Sequence, residues 1–423
     1  MLEKKRLCDY RVLVEDSRVH GSLYTDEQVF EDEIARIFEK TWVYVGHESE
    51  VSKEGDFVTR TIGRQPVVLT RDADDQFHVL YNRCPHRGNK VCQVEKGNAR
   101  SLTCSYHGWA FAMDGALMGV PFNKGYGEDF DKSALGMVSV ARVDSYGGFV
   151  FASLCSEGPS LKEHLGHGMR MIDMLNGLSP SGKIDLTSGW MKHKFESNWK
   201  VVTENQVDGY HAMFVHGSLA RASDNWATIR DRREASTARV RDLGGGHTEI
   251  DHASDYGEQG VMFRWTGGID PAKLPKYVAA MYSAYGEEEA KRRLILGPPH
   301  AVIFPNLMLA EMNIQILQPL NPDHSVQYTT PVRLVGGEEL NARTLRRCEG
   351  AMGPAGFIIA DDNEVGSMVQ SGLTSSQPEW VVLKRGLETE LHEDGGTISA
   401  GLMDETSQRA IWRQYRELMI SGA

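Results

Sequence analysis

Two short segments, CPHRG at Cys84 to Gly88 and CSYHGW at Cys104 to Trp109, constrain this chain more than anything else in it. Each carries one cysteine and one histidine, in the order Cys, one residue, His, then seventeen residues, then Cys, two residues, His. A glycine stands directly behind each histidine. Glycine lets a loop fold closely over a sulfur and leaves backbone N–H groups free to point at it. Whatever the fold, it has to bring both loops to one place.

Two thiolates and two imidazoles are the ligand set of a Rieske [2Fe-2S] centre, in which His replaces Cys on one iron and raises the reduction potential. A tetrahedral zinc site can use the same four side chains. Zinc fingers, however, pair Cys with Cys and His with His, whereas each arm here mixes the two. The reading is therefore a Rieske cluster held by Cys84, His86, Cys104 and His107, with Trp109 and Tyr106 as its shield. Respiratory electron-transfer Rieske proteins add a cysteine beside each ligand pair and join the loops by a disulfide. Here those neighbourhoods hold Arg87, Gly88 and Asn89, and Ser105 and Tyr106, and Cys92 has no counterpart in the second loop. An unbraced cluster with fewer hydrogen bonds to sulfur belongs at the low end of the Rieske range, which suits electron delivery to oxygen chemistry.

At 423 residues the chain is too long for a cluster domain alone and predicts two or three domains with ample core. Lys plus Arg is 46 against 58 Asp plus Glu, a net charge of -12, which speaks against nucleic acid and anionic membrane as partners. No signal-peptide pattern opens the chain and no run near ~18 apolar residues exists, so a cytoplasmic protein is expected. Cys8, Cys92, Cys155 and Cys348 show no paired spacing and read as free thiols in a reducing compartment.

Thr25 with Gln28 predicts a capping box, and Phe30, Ile34, Ile37 and Phe38 follow at helical spacing toward Trp42. From Val43 to Ser153 short strands are predicted in WVYVGH, DFVTRTI, PVVLTR, FHVLYN, RSLTCSYH and GGFVFASL. Later, a strand is expected at Gly189 to Phe195 and a helix from near Asn198. The charged stretch Arg230 to Glu258, with Gly244, Gly245 and Gly246, reads as a mobile loop. Strands at Ala301 to Leu309, Asn313 to Leu320 and Val326 to Val335 precede a helix from Glu338. That helix breaks near Gly353 and Pro354 and resumes through Phe357 to Val369. A last helix presents Ile411, Tyr415, Leu418 and Met419 on one face.

Electrons collected at a cluster need a place of use, and NWKVVTENQVDGYHAMFVH offers one. Asp208, His211 and His216 lie in it, and iron centres that activate oxygen use two His and one carboxylate, leaving adjacent positions open. Five residues of α-helix rotate by about 500°, roughly 140° past a full turn, so the two His cannot converge from an undistorted helix. The backbone should break or bulge there. For the carboxylate, Asp208 is nearest in sequence, while Asp361 and Asp362 follow an apolar helix face in GPAGFIIADDNEV.

CPHRG with CSYHGW, then NWK, EN, an Asp, YH and a His, then DDNE, resembles the α subunit of Rieske non-haem iron aromatic-ring-hydroxylating oxygenases, from about Trp42 to Val369. The resemblance implies an α+β chain with three parts: an N-terminal helical segment over 1–41, a small all-β Rieske domain over 42–155, and a catalytic domain over 156–423 whose antiparallel sheet is flanked by helices in helix-grip fashion. It implies that His211, His216 and Asp362 bind ferrous iron. Asp208 matches the bridging aspartate, hydrogen-bonded to His211 and to a cluster His of a neighbouring subunit, here His107. Asn205 matches an Asn close to the iron, although many relatives have one more residue between it and the bridging Asp.

The implied activity is hydroxylation of an aromatic ring, by one or two oxygen atoms, with O2 and NAD(P)H-derived electrons. The resemblance in the HAMFVHGSL region, with the moderate chain length, implies a small aromatic acid of salicylate, anthranilate or benzoate type. Asn205, Met213, Met308, Met352 and Ile358, together with Phe214, are candidates to line the substrate pocket, and Arg221, Arg264 or Arg333 to meet a carboxylate. No GxGxxG motif is present, so a separate reductase, with or without a ferredoxin, is expected. The resemblance further implies a head-to-tail homotrimer, with small β subunits in an α3β3 assembly. Two alternatives remain: a Rieske monooxygenase acting on a quaternary amine or methyl ether, and an electron-transfer or assembly protein without oxygenase activity.

Overall fold

The computed structural model describes residues 9–217, 236–353, 356–393 and 395–421. The chain divides into two compact units, Phe38–Leu161 and a larger one formed by the residues before Phe38 together with those from Lys162 onward. No helix among the described residues is long and apolar enough to cross a membrane.

The smaller unit is all β. A four-stranded antiparallel sheet runs in the order Phe77–Tyr81, Gln65–Arg71, Asp56–Ile62, Lys96–Asn98. Two three-stranded sheets accompany it. One joins Arg142–Tyr146, Phe149–Ser153 and Val43–His47, and the other joins Leu117–Gly119, Ala110–Phe111 and Leu102–Thr103. Val67, Val68 and Leu69 are all fully buried in the central strand, so residues on both of its faces pack against core. The predicted strand RSLTCSYH shrinks to Leu102–Thr103, because the chain turns back at Cys104 to form a loop.

In the larger unit nine antiparallel strands form one sheet. Their order is Met191–Phe195, His324–Pro331, Asn313–Asn321, Leu307–Ala310, His300–Ile303, Thr248–Asp251, Arg239–Asp242, Gly396–Ile398, Leu391–Glu393. Two expectations are corrected here. The described part of Arg230 to Glu258, from residue 236, is a hairpin followed by the helix Ala253–Gln259, not a mobile loop. Its charges pair across the strands, Arg241 lying 3.1 Å from Asp251 and 3.5 Å from Glu249, so a charged stretch here is sheet surface. The single strand expected at Ala301 to Leu309 is also a hairpin, turning at Phe304 to Asn306.

The N-terminal helix Glu27–Glu33 continues as a π turn over Ile34–Phe38. Its cap is Asp26 rather than Thr25: the Asp26 carboxylate accepts the N–H groups of Gln28 and Val29 at 2.7 and 3.1 Å, while Thr25 closes the preceding 3-10 turn. This helix, Trp199–Gln206 and the C-terminal helix Thr406–Ser421 meet at one buried carboxylate. Glu33, fully buried, accepts from Lys200 Nζ at 2.5 Å, Trp199 Nε1 at 2.7 Å and Tyr415 OH at 2.7 Å. On the last helix Ile411, Tyr415 and Met419 are buried and Leu418 is half-buried.

Breaking a buried ion pair from one side leaves the other charge uncompensated, typically at about 3–5 kcal/mol. Glu33→Ala is therefore expected to lower the thermal midpoint clearly, and adding Lys200→Met is expected to recover part of the loss, the Trp199 and Tyr415 donors still lacking their acceptor. Differential scanning calorimetry of the single and double variants checks this; a double variant worse than the sum of its parts contradicts it.

Candidate active site

The two cluster loops are built alike. In each, the cysteine N–H donates to the carbonyl five residues on, Cys84 to Asn89 and Cys104 to Trp109, both at 2.8 Å. In each, the glycine N–H returns to the cysteine carbonyl, Gly88 to Cys84 and Gly108 to Cys104, both at 2.9 Å. Closing such a turn requires left-handed backbone at the glycine, with φ of 75° at Gly88 and 73° at Gly108. A side chain at 108 would also press on Pro121.

Cys84 and Cys104 are buried, and the rings of His86 and His107 lie 4.5 Å apart. Burial pushes the Cys104 thiol up, but the backbone N–H groups of Tyr106 and His107 and the Asn89 side chain pull it below its ordinary value. Buried His86 Nδ1 has no hydrogen-bond partner, as a nitrogen meant for a metal would be. The four donors, the amides aimed at sulfur and this orphaned nitrogen fit a [2Fe-2S] cluster with two Cys and two His ligands. Trp109, 2% exposed, stacks in parallel on His86 at 4.9 Å. Tyr106 lies over His107 with ring centroids 3.8 Å apart, its outer side open and 57% exposed. Sequence reasoning missed Asn82, whose buried side chain accepts the N–H groups of Val91 and Cys92 and donates to the Cys92 carbonyl, stapling the first loop. Cys92 is itself buried, its thiol pushed up to about 12.

In the larger unit the helix Trp199–Gln206, capped by Asn198, stops at Val207. Asp208 then turns the chain, its Oδ1 accepting the Tyr210 N–H at 2.6 Å. Gly209 passes so close to the Leu402 carbonyl that a Cβ would stand 2.2 Å from it. His211 and His216 flank a helix of only four residues, Ala212–Val215, so the interruption expected from their spacing takes the form of a single isolated turn.

Asp362 comes from the helix Phe357–Gly372, on a buried stripe with Ile359, Gly366 and Gln370. Its Oδ1 lies 3.5 Å from His211 Nε2 and 3.4 Å from His216 Nε2. The three side chains offer ligand atoms all within 4.8 Å of one another. Asp361, on the same helix, lies 3.6 Å from His216 Nδ1, and Asp208 Oδ2 lies 3.4 Å from His211 Nδ1. Asn205 Nδ2 approaches Asp362 Oδ1 at 3.4 Å. Burial would push the His211 imidazole down, but Asp208 and Asp362 outweigh it and raise it to about 9. Two imidazoles and one carboxylate facing a common point fit a mononuclear ferrous ion with open positions.

A cavity of about 170 Å³ adjoins these three residues. Asn205, Met352 and Ile358 line it. Met213 and Met308 do not: both are buried in the core and are absent from its lining, while Phe214 is 64% exposed. Of the arginines considered, Arg333 pairs with Asp185 at 3.0 Å, Arg264 lies over Tyr256, and Arg221 falls outside the described residues, as do Cys8 and Pro354. The cavity instead presents His252, His300, Glu311 and Arg347, none of which the sequence singled out. A larger cavity of about 340 Å³ shares Ile250, His252 and His300 with it.

Residues 41–141 match the Rieske [2Fe-2S] domain, and residues 186–419 match the ring hydroxylating alpha subunit (catalytic domain). The chain is 32% identical over 362 residues to toluate 1,2-dioxygenase subunit alpha of Pseudomonas putida, covering 84% of this chain and 79% of that one. It is 30% identical over 392 residues to the anthranilate 1,2-dioxygenase large subunit of Acinetobacter baylyi, covering 87% and 80%. Its fold superposes on a naphthalene 1,2-dioxygenase variant bound to phenanthrene with a TM-score of 0.85 and 25% identity, covering 97% and 95%.

Behind the site, Glu204 is held by Tyr24 OH and Trp412 Nε1, both at 2.7 Å. Burial raises its carboxyl to about 7 against these bonds. The native state thus keeps a proton on Glu204 that the unfolded chain releases near pH 4.5, so this contribution to stability is full below that pH and is lost as pH rises toward 7. Glu204→Gln is expected to flatten the fall of the thermal midpoint across that window; an unchanged slope in a pH series of melting curves rules it out.

Proposed function

This chain belongs to the family of Rieske non-haem iron ring-hydroxylating oxygenase α subunits, and on that premise we propose that it is the terminal oxygenase of a multicomponent system that hydroxylates a small aromatic acid of salicylate, anthranilate or benzoate type. The observation that carries the substrate class is the cavity beside His211, His216 and Asp362. Its wall bears Arg347 paired with Glu311, together with His252 and His300, and no Phe, Tyr or Trp among the described residues lines it. A quaternary amine would call for an aromatic cage, and a plain hydrocarbon for an apolar wall. The relatives named for toluate and anthranilate point the same way.

In this reading His211, His216 and Asp362 hold ferrous iron, and Cys84, His86, Cys104 and His107 hold the cluster. Bound there, the iron supplies open coordination positions at which O2 accepts electrons. The chain's own groups orient the site. Asp208 sets the ring of His211 through Nδ1, Asn205 steadies the Asp362 carboxylate, and Asp361 stands behind His216.

Electrons come from NAD(P)H through a separate reductase, with or without a ferredoxin. Asp208 is the bridge by which they arrive, from His107 of a neighbouring subunit in a homotrimer that carries small β subunits as α3β3. Two features support that role: the Asp208 side chain keeps a quarter of its surface exposed, and His107 is half-buried at the surface of its own unit.

Asp208→Ala is expected to retain about three irons per chain, two in the cluster and one at the histidine pair, while turnover falls at least about 100-fold. Iron analysis, the cluster spectrum and product formation from salicylate, anthranilate and benzoate under labelled O2 check this. Normal turnover in the variant refutes the bridge, and labelled product from none of the acids refutes the substrate class.

A further inference from the structure

One wall of the cavity carries charge that the iron site does not use. Arg347, at the end of the helix Glu338–Arg347, forms an ion pair with Glu311, and both line the cavity that His211, His216 and Asp362 adjoin. Each of the two side chains keeps 40% of its surface exposed, so the pair borders open space rather than packed core.

Glu311 lies in the tight connection between the strands Leu307–Ala310 and Asn313–Asn321, with φ of 59°. A residue with a Cβ is strained there, and glycine would be the relaxed choice. Backbone strain of this kind clusters at ligand sites. The Glu311 N–H donates to the Pro299 carbonyl at 3.0 Å, which pins the turn. On the other side Arg347 Nη1 donates to the Trp265 carbonyl at 2.6 Å, while Nη2 faces Glu311. The guanidinium is thereby held by backbone and does not depend on Glu311 for its position.

We propose that Arg347 and Glu311 together read an aromatic acid that carries a hydrogen-bond donor beside its carboxylate, the carboxylate taking Arg347 and the adjacent O–H or N–H taking Glu311. The inference rests on the aromatic-acid reading above and narrows it. A plain benzoate that takes up the Nη2 edge of Arg347 sets its carboxylate against that of Glu311, where like charges repel and Glu311 gains no donor. An ortho hydroxyl or amino group gives Glu311 a donor in exchange. A neutral arene leaves the pair intact and gains nothing from it. Discrimination thus comes from the group left unpaired by the wrong ligand.

The test is calorimetric titration of the purified holoenzyme with salicylate, anthranilate, benzoate and naphthalene, in wild type, Arg347→Gln and Glu311→Gln. Iron content and the cluster spectrum report on folding. Wild type is expected to bind salicylate and anthranilate about tenfold or more tightly than benzoate. Arg347→Gln is expected to weaken salicylate by about tenfold or more. Glu311→Gln is expected to tighten benzoate and narrow the gap. Equal salicylate binding in wild type and Arg347→Gln overturns the role of Arg347. Equal wild-type affinity for benzoate and salicylate, or an unchanged gap in Glu311→Gln, overturns the paired reading. Wild type that binds naphthalene and none of the acids overturns the acid class itself, a result distinct from the others.

Discussion

A carboxylate buried to 6% exposure and facing two imidazoles is the constraint around which the larger unit is arranged. Removing Asp362 from water is costly unless it is compensated, and its nearest partners are His211 and His216 with the Asn205 amide. Those groups come from a helix end and an isolated turn, elements that packing alone would leave poorly placed. The surrounding structure therefore has to fix two backbones relative to each other: that of Phe357–Gly372, and that of the segment from Trp199 to His216.

Three contacts supply that fixing. Glu33 ties Trp199 and Lys200 to the first and last helices. The buried Asn198 side chain donates to the carbonyls of Tyr24 and Pro322, and the backbone N–H of Asn198 donates to Gln370 Oε1 on the helix that carries Asp362. At the other end His300 bonds the Gln206 carbonyl at 2.6 Å, tying the helix terminus to the sheet. Glu33, Asn198 and His300 thus act as locators, each bonded to a partner from another element.

Much of this was legible in residues. The cluster loops could be read because ligand type and spacing are fixed by the metal, and the histidine pair because its separation is incompatible with regular helix. Asp362 was harder: the residues alone left Asp208, Asp361 and Asp362 open, although Asp362 falls in register with Ile359, Gly366 and Gln370 on the inward stripe. The cap of the first helix was misplaced by one residue because Thr25 and Asp26 are both good caps and only the preceding turn decides. The hairpin through Gly244 to Gly246 was invisible since its charges pair across strands, a partnership that no local pattern records. Glu311 and Arg347 were missed because the strained turn and the pairing arise from segments more than thirty residues apart in the chain. Met213 and Met308 show the converse, apolar residues near the site whose side chains simply fill core.

The unit Phe38–Leu161 interrupts the larger one, since Glu33 lies before it and Lys200 after it, 167 positions on. At a synthesis rate of about 5–20 residues per second, the acid waits roughly ten to thirty seconds on the ribosome for its base. In that interval the β unit is complete and the larger unit has neither its sheet nor its last helix. Birth order therefore separates the two halves: Cys84 and Cys104 are translated, with the whole of their unit, before the first residue of the histidine pair.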